Sequence, residues 1–232
     1  MNIFQLFKLL MIVAFAGIMG LSSCDVEDSA DVNQDRIYTV YEVFYNSNTD
    51  KTWVIARFRF GGLTGTLLEL NEPASVSFNG DELPYNPVFL GHYKEFAGRL
   101  NSGEFRYTNV DGAIFTNSVA SGETIAFPEG LETISKSNAF NLEWEGASLG
   151  EDEVVGLFVG SWTWGQDAAF VQTNEGTTSL VLGTNQLNNL PDGQSTLFMD
   201  RSIIKTVTQG TSEGGIVRNV YRAENINVDI VE

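Results

Sequence analysis

Gly210, Thr211, Ser212, Glu213 and Gly214 spell Gly-x-Ser-x-Gly, the pattern in which a serine on a strained strand-to-helix turn acts as a nucleophile. The surroundings do not suit that chemistry. Gly215 and the alternating run Ile216 to Tyr221 predict a strand where the mechanism needs a helix. The single histidine, His92, precedes the serine in a chemistry whose chain order puts it last. A glycine-rich hairpin turn accounts for the run. One His and one Cys cannot assemble a zinc site of nitrogen and sulfur ligands, and His92 is expected at a strand edge. Asp31, Asn33 and Asp35 alternate ahead of Glu42 as in a helix-loop-helix calcium loop, yet Arg36 stands where such a loop needs glycine, and Ile37 to Tyr45 reads as a strand. Irregular calcium sites near Asp50 or Asp152 remain open. The 30 acidic residues contain no local pattern that sets two carboxylates ~5 to 10 Å apart for glycoside hydrolysis. No catalytic residue, metal ligand or cofactor is assigned, and the expectation is a protein that is not an enzyme.

Trp162 and Trp164 are the most suggestive pair for binding. They flank Thr163 between Gly160 and Gly165, so in a strand both indoles project to one side. Exposed, they form a ligand platform that can stack on sugar rings, with Gln166 and Asp167 supplying hydrogen bonds. Buried, they are core, the role also expected for Trp53 and Trp144. Both readings stand.

The only Cys has its own chemistry. Lys8 precedes an apolar run from Leu9 to Met19 that is too short to span a bilayer core of ~30 Å and reads as the centre of an export signal. Leu21, Ser22, Ser23 and Cys24 follow. This tetrad, an aliphatic residue and two small ones before a Cys, resembles the lipobox of bacterial lipoproteins. The resemblance implies cleavage of residues 1–23, a diacylglyceryl group on Cys24, acylation of the new amine, and a membrane as partner. Two or three acyl chains anchor stably where one does not. It also implies a cell-envelope address. The acidic run Asp25 to Asp31 resembles an outer-leaflet export signal of Gram-negative bacteria and favours the outer membrane and cell surface, whereas Asp25 alone resembles an inner-membrane retention signal. Asp28, Ser29 and Ala30 resemble a short bacterial O-glycosylation acceptor.

These residues need a body to carry them. Net charge is −17 and becomes −18 once Lys8 is cleaved away, with no cluster of Lys or Arg, which opposes nucleic-acid binding. A 43% apolar fraction with 16 Phe supports a real core, and 23 Gly imply many turns. The expected class is all-β: two tandem immunoglobulin-like β-sandwich domains after the signal peptide and a flexible acidic tether at 24–35. Residues 36–130 make the first domain, with hairpin signals at Asn79–Gly80 and Asp111–Gly112, and 137–232 make the second. Pro128 to Ser137 is the expected boundary, and one larger sandwich is the alternative. Leu190, Pro191 and Gly193 before a long strand resemble a corner of fibronectin type III domains. The leading functional expectation is a structural or adhesive envelope module acting through protein contacts. The alternatives are a surface carbohydrate-binding lipoprotein of a glycan-uptake system and, least favoured, a hydrolase.

Overall fold

The computed structural model describes residues 26–160 and 165–232. Leu21, Ser22, Ser23 and Cys24 lie outside the described residues, as do Trp162 and Trp164. The protein is all-β, as its alternating pattern predicts. Its first part holds β1 (Val26–Asp28), β2 (Ile37–Asn46), β3 (Lys51–Phe60), β4 (Thr66–Glu69), β5 (Ser75–Phe78), β6 (Asp81–Glu82), β7 (Tyr85–Asn86), β8 (Gly91–Ala97), β9 (Gly103–Thr108) and β10 (Ile114–Val119). Asn79 and Gly80 both take positive φ, 50° and 87°, and close the β5–β6 hairpin at the expected place. The second part holds β11 (Thr133–Ser135), β12 (Phe140–Glu143), β13 (Glu153–Gly160), β14 (Asp167–Gln172), β15 (Ser179–Leu182), the single turn α1 (Thr184–Leu187), β16 (Gly193–Thr206), β17 (Gly215–Arg222) and β18 (Ile226–Val231).

One 12-stranded sheet runs through both parts, its main path ordered β1-β4-β3-β2-β17-β16-β13-β14. The join is a parallel ladder from Gly215 beside Thr39 to Arg222 beside Asn46. Two smaller sheets, β10-β9-β5-β6 and the ribbon β12-β15, cover one face of it. The alternation of apolar residues explains both cores. Tyr41, Val43, Val54, Ala56 and Phe58 meet Val76, Phe78, Phe105 and Tyr107 in the first. Val155, Leu157, Phe170, Leu197, Met199 and Val228 meet Leu142, Trp144, Leu180 and Leu182 in the second. The boundary expected at 128–137 does not part these cores, because Ile125 and Phe127 ahead of it and Ile134 within it all pack in the second. It contains the short strand β11, parallel to β18, and Val217 from the later part packs in the first core.

The stretch from Val26 to Asp35, expected as part of a solvated tether, is instead docked. β1 pairs in parallel with β4, Ser29 is fully buried, and Val32 packs on the first core. Of the described acids in this stretch, Glu27 and Asp31 are exposed and Asp28 caps a turn, accepting from the Ala30 N–H at 2.8 Å and from Asn71 Nδ2 at 2.8 Å. Burial of Ser29 also removes its hydroxyl from reach of a glycosylating enzyme in the folded chain.

Candidate functional site

The residues with catalytic potential are committed to the fold. Ser212 donates its hydroxyl to the Asp35 carbonyl at 2.8 Å, and its N–H donates to Asp35 Oδ1 at 3.0 Å. Hydrogen bonding from Ser212 to the carboxylate, by its side chain first and its backbone N–H second, holds the Asp35 carboxyl below its ordinary pKa. Asn33, the middle member of the alternating trio, caps Asp35 N, and Glu42 pairs with Arg218 at 3.1 Å. Asp50 and Asp152 are positive-φ turn residues, and Asp50 accepts from the Tyr45 hydroxyl. Among the described residues, no three His, Cys, Asp or Glu side chains gather as metal ligands.

His92 is not the edge residue expected but a buried bolt between strands. Its Nε2 accepts from the Leu70 N–H at 3.1 Å, and Nδ1 lies 2.9 Å from the Leu83 carbonyl, which assigns the proton to Nδ1. Protonating Nε2 would set N–H against N–H. Burial lowers the imidazole pKa below its ordinary value, against the opposing pull of the Leu83 carbonyl and the Glu82 charge. Because the folded pKa lies below that of the unfolded chain, ~6.5, this stability is fully present above that pH and is lost as pH falls toward the folded value. Thermal unfolding from pH 8 to 5 is therefore expected to show an extra loss below ~6.5 in the native chain. A His92→Gln variant should show a flatter profile across the same window. Identical slopes would contradict the assignment.

The other face of the large sheet carries the arrangement best suited to binding. Side chains alternate, so the positions between core residues of β2, β3, β16 and β17 gather there. An aromatic and arginine band crosses the strands. Phe89 stacks on Tyr93 at 4.0 Å and meets Trp53 at 5.7 Å, and Trp53 stacks on Phe44 at 5.4 Å. The Arg222 guanidinium lies 4.9 Å from the Phe44 ring centroid and 5.9 Å from that of Phe198, which meets Phe158 at 6.1 Å. Arg222 is held by two hydrogen bonds of 2.7 Å to Asp200, one to each carboxylate oxygen. Trp53 donates its indole N–H to Glu95 at 3.2 Å, and Lys51 pairs with Glu95 at 2.6 Å. Lys51, first among the causes, holds the Glu95 carboxyl below its ordinary pKa.

Trp144 is buried in the second core as expected, whereas Trp53 is not core: it is half-buried on the opposite face. Strand parity explains the correction. Val54, Ala56 and Phe58 point inward, so Trp53 shares a side with Arg57 and Arg59. Phe44, Phe89, Tyr93 and Arg222 carry no local motif that marks them as site residues. For Phe44 the same parity was available as a signal, since it alternates with Tyr41 and Val43.

The fold and this face define an all-β protein with two sheet-on-sheet cores and, on the opposite face, a half-buried aromatic and arginine band in which Phe44 is itself buried. No protein-family profile and no curated protein sequence matches the chain. Among solved structures it is similar to a DUF3823 family protein from Bacteroides uniformis, at 12% identity and TM-score 0.34, over 83% of this chain and 99% of that one. It is also similar to a fragment of a bacterial ice-binding adhesin, at 12% identity and TM-score 0.24, covering 84% and 65% of the two chains. A third is the tandem V-type regions of a v-region-containing chitin binding protein, at 8% identity and TM-score 0.21, covering 79% and 98%.

Proposed function

We propose that the mature chain, starting at Cys24, is a lipid-anchored, non-enzymatic module of a bacterial cell envelope, placed at the outer membrane and working through protein contacts. The observation that carries the contact role is the aromatic and arginine band from Tyr93 to Phe158, a pattern of residues that dominates protein interfaces. Strands position it, so little conformational entropy is lost on binding. The non-enzymatic reading is supported by Ser212 and His92, whose polar atoms serve the backbone. The anchor rests on the lipobox resemblance.

Two measurements test the reading. Mass spectrometry of the product from native membranes is expected to find Cys24 as the first residue with a thioether-linked lipid; an unmodified thiol or an uncleaved leader removes the address. Photo-cross-linking on intact cells from a reactive amino acid at position 53 is expected to give a discrete protein adduct, lost in an Arg222→Ala background. A cell surface that yields none removes the contact role.

The glycan-binding reading also keeps one observation in its favour. Trp53, with its N–H on Glu95 and with Lys51 beside it, joins an apolar ring to polar neighbours as sugar recognition requires. A glycan array on which a Trp53→Ala variant loses the native chain's hits would support it over the protein-contact reading, and an array without hits would end it.

A further inference from the structure

The chain enters the fold at one pole of the large sheet. β1 runs parallel to β4, with Val26 beside Leu67, so its first residue lies where β4 begins, next to the connection after Phe60. β2 starts at the same pole, with Ile37 beside Phe60, and β17 starts there with Gly215 beside Thr39. β16 ends there. Three connections, 29–36, 61–65 and 207–214, therefore meet at this end. They are tied together: Gly61 N–H donates to the Arg36 carbonyl at 2.9 Å, Arg36 pairs with Glu213 at 3.0 Å, and Thr211 donates to the Ile37 carbonyl at 2.7 Å. Ser212 is held on Asp35, and Gln34 donates to the Ser29 carbonyl at 2.6 Å.

We infer that this three-loop pole rests on the headgroup layer of the membrane, with the sheet standing away from it. The inference depends on the lipid anchor proposed above. After cleavage only Asp25 lies between the lipidated residue and Val26, the first paired one among the described residues, so the Cα atoms of residues 24 and 26 are at most ~7 Å apart. A leash that short cannot let the body turn over. The pole is polar, with Asp31, Asn33, Asp35, Arg36, Thr64 and Ser212 exposed, so it meets headgroups without entering hydrocarbon. The ten residues of β2, at ~3.4 Å each, lift the opposite turn about 30 Å outward. Phe44, Trp53 and Arg222 lie toward that far end, with Trp53 beside Phe44 and Arg222 beside Asn46. The short leash thus presents the aromatic band to partners outside the membrane rather than to the lipid.

The test uses the full-length chain, purified with its lipid and reconstituted into phosphatidylcholine vesicles. Since Cys24 is the only native cysteine and its sulfur is blocked by the lipid, a fluorophore can be placed on Thr64→Cys at the near pole or on Thr49→Cys at the far turn. A headgroup-attached quencher is expected to quench the first several-fold more than the second, and an acyl-chain quencher to quench neither. A long Gly/Ser insert between Asp25 and Val26 should abolish the difference. Equal quenching at both sites in a chain whose Cys24 carries lipid by mass would overturn the posture while leaving the anchor intact. A Cys24 without lipid would overturn the anchor itself, and the posture with it.

Discussion

Replacing Arg201 with Met is expected to destabilise the protein by about 3–5 kcal/mol, because it strands a buried carboxylate. The Arg201 and Glu153 side chains are only 2% and 7% exposed, and they pair directly. The guanidinium spends its remaining donors on the carbonyls of Ala147 at 2.7 Å and Ser148 at 2.9 Å, and Glu153 accepts the Gly150 N–H at 2.7 Å. One ion pair therefore pins the loop from Ala147 to Gly150 against β13 and β16. Removing Arg201 leaves a buried anion and takes the guanidinium donor from the Ser148 carbonyl, while the Ala147 carbonyl keeps the Trp144 indole N–H at 3.2 Å; the stranded charge is why truncating one partner is so damaging. Glu153→Leu should cost about as much for the mirror reason, leaving a buried cation. The double variant should lose less than the sum of the two, since no lone charge remains. Urea denaturation of all three variants closes the cycle. Single losses of under ~1 kcal/mol would mean that the pair is effectively solvated.

Much of this fold could be read from alternation, and the parts that could not share a cause. β9 buries one face along its length, and β2, β3 and β16 alternate over much of theirs, which makes these strands legible although Glu42, Phe44, Ile55 and Ser202 are buried on the second face as well. β1 and β11 are three-residue strands, too short for a period to register, and each joins the sheet through a parallel partner distant in sequence. The β2–β17 ladder is likewise non-local, and no hairpin turn announces a parallel pair. The candidate site was hidden differently. An aromatic on the less-covered face of a strand has the same composition as one in the core, and only its parity against its neighbours separates Trp53 from Phe58. Arg201 was invisible for the opposite reason. It occupies an inward position, and nothing local indicates that Glu153 waits across the strand pair.

The parallel ladder also decides how the two cores behave together, and Gly215 tests it. A Cβ built there would lie 2.4 Å from the Thr39 carbonyl oxygen and 2.2 Å from Thr39 Oγ1, so no side chain fits unless β2 and β17 move apart. Gly215→Ala is therefore expected to lower stability by about 1–3 kcal/mol, the range for overpacking, although alanine suits a strand better than glycine does. The location of the loss carries the meaning. β2 belongs to the first core and β16, paired with β17 along its other side, to the second, so strain at their join passes to both. Polar links reinforce it: the buried Asn117 on β10 accepts the N–H groups of Thr208 and Gln209 at 2.8 and 3.1 Å, and Asn219 on β17 donates to the Ala120 carbonyl at 2.9 Å. Hydrogen exchange in the Gly215→Ala variant should rise in peptides from β2 and β17 and, at the global limit, in β9 and β13 alike. Independent beads on a string would respond differently, with β9 and β13 exchanging at separate rates and only one of them shifted. A band that runs from Trp53 to Phe158 across the β2–β17 join needs that join to be rigid, because binding through it requires its two ends to keep a fixed spacing.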